Sequence, residues 1–119
     1  MATRSTTSFL SQGAYLATFY IHHDGYPTNQ ARRLRSALAA LDSSHNNASL
    51  ADMFFRTQDR AELTRGHDAH SDTDYRYTVH ALSDSYAIEV EMRCTDRASG
   101  WQRTWYGTLD NFIRGQIGA

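Results

Sequence analysis

The chain has 119 residues and a formal net charge of −1, from twelve basic and thirteen acidic side chains. A chain of that length is one domain able to bury a core without staples, and a near-neutral balance excludes a global field that would recruit nucleic acid. Its single cysteine, Cys94, excludes an intramolecular disulfide and a cysteine-only zinc site, and the absence of lysine excludes P-loop and Schiff-base chemistry.

No apolar run approaches the ~20 residues of a membrane span. The opening Met1-Ala2-Thr3-Arg4-Ser5 has no apolar signal core. The expectation is a soluble, cytoplasmic protein with no cofactor.

Residues 3–10 are polar, rich in Thr and Ser, and end in Phe9 and Leu10. They read as an edge strand. Ser11-Gln12-Gly13 is a turn in which Gly13 is free to take positive φ. Tyr15, Ala17, Phe19 and Ile21 then alternate with Leu16, Thr18, Tyr20 and His22, the period of a strand paired in a hairpin with the first.

Asp24-Gly25 breaks the strand, and Pro27, the one proline, suits the first turn of a helix. Ala31, Leu34, Leu38 and Leu41 follow at helical spacing, with Ala37 widening the stripe and Arg32, Arg33 and Arg35 largely off it. Residues 42–47 form a polar break. Ser49-x-x-Asp52 resembles a capping box, with Leu50, Met53 and Phe54 as a short helix's buried face.

Residues 56–73 read as a long polar loop with a frayed helical turn at 61–63, a length that points to function or mobility. From Tyr75 the period returns to two. Tyr75, Tyr77, Val79 and Ala81 form one strand face, and Ser83-Asp84 is a turn. Tyr86, Ile88, Val90, Met92 and Cys94 then alternate with Ala87, Glu89, Glu91 and Arg93, one apolar face and one charged.

Residues 96–100 make a further turn. Trp101, Arg103 and Trp105 alternate with Gln102, Thr104 and Tyr106, and periodicity does not decide which face is buried. Thr108 is a good N-cap for a terminal helix carrying Leu109, Phe112, Ile113 and Ile117 on one face, with Asp110 in its first turn. The expected fold is a single α+β domain over 1–119: an antiparallel sheet of about five strands, order ββααβββα, with helices on one face.

Five stretches invite a chemical reading. His22 and Asp24 share a strand face and suit metal binding or acid–base work, whereas His23 points the other way. Asp24 also suits a structural turn with Gly25, Tyr26 and Pro27. His67, Asp68, His70, Asp72 and Asp74 have ligand spacings but lack the glycine and glutamate of an EF-hand loop. The preferred assignment is no metal, with His22, Asp24, His67 and His70 as the candidate ligands if one binds. No Gly-x-Ser-x-Gly elbow is present, and Cys94 reads as a small core residue. Arg32, Arg33 and Arg35 suit an acidic protein patch or phosphate. Trp101, Trp105 and Tyr106 beside arginine have the composition of a contact hot spot.

The opening Ala2-Thr3-Arg4-Ser5-Thr6, taken with His22-His23-Asp24-Gly25-Tyr26-Pro27, resembles a family of small uncharacterised phage and bacterial proteins. Those begin with a Thr-Arg-Ser run and later carry an aromatic or Ile run ending in His-x-Asp-Gly-Tyr-Pro. In this chain His23 stands where the family often has Trp or Phe, so no catalytic role for His23 comes with the resemblance. The resemblance implies a phage or mobile-element origin and no particular activity.

The expectation is a non-catalytic phage- or prophage-borne protein that covers a host protein surface, as anti-CRISPR inhibitors do. Arg32, Arg33, Arg35, Trp101, Trp105 and Tyr106 are the candidate contacts, in host cytoplasm and away from membrane. The alternatives are a metal-dependent phosphoester hydrolase using His22 and Asp24 with His70, or a nucleic-acid-binding module.

Overall fold

The chain runs β1 (Ser5–Ser11), β2 (Ala14–Ile21), α1 (Pro27–Asp42), α2 (Leu50–Thr57), β3 (Glu62–Thr64), a 3₁₀ turn (His67–Ala69), β4 (Tyr75–Ala81), β5 (Tyr86–Arg93), β6 (Trp101–Thr108) and α3 (Leu109–Ile117). This computed structural model describes residues 3–42, 49–58, 60–95 and 100–118. The polar break at 43–47, the turn at 96–99, and Met1 and Ala2 of the opening run lie outside the described residues. The α+β class holds, and no described helix is long and apolar enough to cross a membrane.

The sheet has six strands in the order β3-β2-β1-β4-β5-β6. It is mixed rather than antiparallel: β1 and β4 run parallel, and every other pairing is antiparallel. The reason is the route of the chain. After the β1–β2 hairpin, α1 and α2 lead it to the outer edge of β2 as β3, and residues 65–74 then cross the polar face to the free edge of β1, where β4 runs in the same direction as β1. The segment at 61–63 is not a helical turn. Glu62–Thr64 pairs with Thr18–Tyr20 of β2 as the sixth strand.

β1 is central, not an edge. Ser5, Thr6, Thr7 and Ser8 are all buried, and three of their hydroxyls have side-chain partners. Thr7 accepts from the buried Gln30 at 2.9 Å, Ser8 meets Thr18 at 2.6 Å, and Thr6 meets His67 at 2.6 Å. Partnered hydroxyls cost little to bury, so a polar strand can occupy the middle of a sheet.

Register places the side chains in rows. Phe19, Tyr77, Val90 and Trp105 lie in one row, and Phe9, Val79 and Ile88 in the next, on the face that the helices cover. Phe54 of α2 packs on Phe9 and Phe19, and Phe112 of α3 on Tyr77 and Trp105. The helix stripes are the expected ones: Ala31, Leu34 and Ala37 on α1, Leu50, Met53 and Phe54 on α2, and Leu109, Phe112 and Ile113 on α3 are buried.

The opposite face is polar. One row reads Glu62, Tyr20, Thr6, Arg76, Glu91, Arg103, and the next Thr64, Thr18, Ser8, Thr78, Glu89, Tyr106.

Ends and turns follow local chemistry. Gln12 and Gly13 have φ of 49° and 85°, the two positive values of a two-residue hairpin turn. Ser49 and Asp52 form a reciprocal capping box, and Thr108 caps α3 through the Asn111 N–H.

Candidate functional site

The segment from His22 to Pro27 turns the chain from β2 into α1, and the constraints on it are steric and hydrogen-bonded. Asp24 takes a left-handed φ of 55°, which Asp tolerates better than most residues. Gly25 lies against β1, where a Cβ would meet Ser5 Cβ at 2.9 Å. Its N–H donates to the Thr3 carbonyl at 2.9 Å, and its own carbonyl accepts from the buried Tyr77 hydroxyl at 2.6 Å. Tyr26 packs on Tyr75, and Pro27 opens α1. The expected structural turn of Asp24, Gly25, Tyr26 and Pro27 is therefore a clamp that fixes β2, β1, β4 and α1 together.

The clamp borders a cleft of about 520 Å³ lined by Ile21, His23, Asp24, Arg33, Gln58, Arg60 and Ala61. A second hollow of about 340 Å³ shares His23, Arg60 and Ala61 with it and adds His22 and Glu62. Arg33 turns from the helix toward this corner and donates to the His23 carbonyl at 2.8 Å. Burial lowers its pKa from the usual arginine value.

The loop before β4 folds onto the polar face of the sheet. His67 sits between Thr6 at 2.6 Å and Thr78 at 3.1 Å. Burial, then the Arg76 charge, lowers its pKa to about 4, so it is neutral at pH 7. His70 stacks on Tyr20 with ring centroids 3.7 Å apart and bonds Thr64. The Tyr20 hydroxyl donates to Asp72, which also pairs with Arg4 at 3.2 Å. Burial, then the Asp72 bond, raises the Tyr20 pKa to about 12. Asp68 pairs with Arg76 at 2.6 Å, and Arg93 donates to the carbonyls of Ser71 and Thr73. The length of this segment thus reflects a brace across the sheet, not a structureless connection.

The candidate ligands are dispersed by these roles. His22 pairs with Glu62 at 3.1 Å, Asp24 lines the cleft, His67 opens the 3₁₀ turn with its ring between Thr6 and Thr78, and His70 covers Tyr20. Among the described residues no three His, Cys, Asp or Glu side chains are grouped so as to hold a metal ion. Cys94 lies just beyond β5, half-buried, rather than in the core cluster.

The six candidate contact residues do not form one surface. Arg32 and Arg35 are exposed on α1, while Arg33 belongs to the cleft. In β6 simple alternation puts Trp101 and Trp105 on the same side, but the register shifts at Thr104. Val90 faces Trp105, whereas Glu91 faces Arg103. Trp105 therefore packs on Phe112, with its indole over Gly107, and Trp101 lies on the polar face beneath Arg76 and Arg93, at 4.2 and 4.5 Å. Tyr106 is 59% exposed on that polar face, with Arg103 5.2 Å from its ring centroid and Glu89 across the ladder. Arg103 also pairs with Glu89 at 2.7 Å.

Reading the sequence alone missed Arg76, Arg93 and Arg103 on this surface, and Arg60 in the cleft. Only Arg103 carried a signal, through its alternation with the aromatic residues of β6.

No family model, curated protein or solved structure matches this chain.

Proposed function

We propose that this is a non-catalytic binding protein of phage or prophage origin that covers a host protein surface in host cytoplasm, in the manner of anti-CRISPR and other anti-defence inhibitors. The contact surface is the open half of the polar sheet face, around Trp101, Arg103 and Tyr106. The observation that carries this reading is the division of that face. The His67 loop covers its β2–β1 half, while its β5–β6 half leaves Tyr106 standing out beside Arg103.

The composition supports it. Tyr and Trp supply large contact area with few rotors, Arg supplies a planar fork of donors, and the three dominate binding hot spots. Position supports it too. β6 is the last strand and is hydrogen-bonded to β5 alone among the described strands, so its outer side can accept a partner strand. The bulge at Thr104 limits such pairing to part of β6. The phage origin rests on the resemblance of the Thr3-Arg4-Ser5 and His22-to-Pro27 motifs.

The test is capture from a lysate of the host bacterium with the wild-type chain and with an Arg103→Ala/Tyr106→Ala variant. Wild type should retain a partner that the variant loses, with an unchanged circular dichroism spectrum. Equal capture by both would show that contact does not run through this surface.

A further inference from the structure

The cleft at the His23–Asp24 corner has no part in the contact surface on the polar face. It is bounded by a β-strand end, the clamp and α1, and two arginines, Arg33 and Arg60, meet there from elements far apart in sequence. Among the described residues no carboxylate lies within ion-pair distance of either guanidinium, although Asp24 shares the same lining. Arg33 is half-buried, and its Nη1 is shielded from solvent with no hydrogen-bond partner among the described residues. A guanidinium so placed has lost water, and the nearby Asp24 charge compensates only in part, since burial still lowers the Arg33 pKa; a ligand of opposite charge offsets the remainder. Gln58 and Asp24 add polar groups, and Ile21 and Ala61 an apolar wall, as in small-molecule sites.

We propose that this cleft binds a small ligand through an oxyanion, a phosphate or a carboxylate, held between Arg33 and Arg60. Arg33 and Arg60 both line the hollow, and a guanidinium fork suits the bidentate geometry of such groups. Asp24, on the same lining, selects against ligands whose negative charge extends across the whole cleft and favours one with a hydroxyl or amine on that side. About 520 Å³ is within the range of small-molecule pockets.

The experiment is an NMR titration of the full chain with inorganic phosphate and, separately, acetate, each against chloride at matched ionic strength. Saturable amide shifts confined to the His23–Asp24 corner and the Gln58–Ala61 segment are expected, with affinity falling at least tenfold in Arg60→Gln. Arg60 is exposed, so that variant keeps the fold. Arg33→Lys, which preserves charge but not the fork, should weaken binding by a smaller factor. Tighter binding of phosphate assigns a phosphate ligand, and tighter binding of acetate a carboxylate. Shifts that fail to saturate, that spread over every arginine-bearing surface, or that persist unchanged in Arg60→Gln overturn the proposal.

Discussion

Trp101 and Trp105, four positions apart on one strand, face opposite sides of the sheet because Thr104 is an extra residue in the ladder. Trp105 joins Phe112 in the core, and Trp101 lies under two guanidiniums. The same substitution should therefore act differently at the two sites. Trp105→Ala should destabilise the fold by about 3 kcal/mol through lost burial and a residual cavity. Trp101→Ala removes two cation–π contacts and should cost about 1 kcal/mol. Urea denaturation of both variants measures the difference, and equal midpoints would contradict the opposite-face assignment.

The corner clamp gives a second prediction. Gly25→Ala drives a Cβ to 2.9 Å from Ser5 Cβ and should cost about 2 kcal/mol as an overpacking strain. Tyr77→Phe leaves the Gly25 carbonyl without its buried donor and should cost about 1–2 kcal/mol. Both changes disturb the seating of Gly25 against the sheet, so the double variant should lose less than their sum. A double-mutant cycle by chemical denaturation reads this directly.

His67 should make the fold acid-sensitive. Its folded pKa of about 4 lies below the unperturbed 6.5, so the unfolded chain binds the proton first as pH falls. The stability due to neutral His67 is present above pH 6.5 and is lost as pH drops from there through 4. Carboxylates also titrate near the lower end, so the comparison is with His67→Gln. That variant should show a smaller loss between pH 7 and pH 5 than wild type, by urea denaturation at each pH.

Tyr20 acts at the other end of the scale. Its folded pKa of about 12 exceeds the unperturbed 10, so the unfolded chain releases the proton first as pH rises. Stability held by the neutral phenol is complete below pH 10 and falls as pH climbs through 12. Phenolate absorbance of the native protein should show a late-titrating tyrosine near pH 12 that is missing in Tyr20→Phe.

Elements with their own local chemistry were legible in the sequence. Alternation marked β4 and β5, Pro27 and the Ser49–Asp52 box marked helix starts, and Thr108 marked the last cap. What failed depended on partners distant in the chain. The hydroxyls of β1 suggested an edge because Gln30, Thr18 and His67, which satisfy them, lie on other elements. β3 is three residues long, too short for a period to register. Leu16 is the extra residue opposite β1, and it turns Tyr15 to the polar face, where its hydroxyl meets Thr18 at 2.7 Å. Thr104 hid the split of the two tryptophans in the same way. The candidate contact surface was half legible: Tyr106 and Trp101 stood out by composition, but not the arginines that reach them from β4, β5 and β6.

The proposed contact runs through the open half of the polar face and not through the α1 arginines. A photo-crosslinker placed at Tyr106 (Tyr106→benzoylphenylalanine) and, separately, at Arg35 (Arg35→benzoylphenylalanine) tests it in the host cell. A covalent adduct with a host protein is expected from position 106 and none from position 35. An adduct from position 35 with none from position 106 would contradict it.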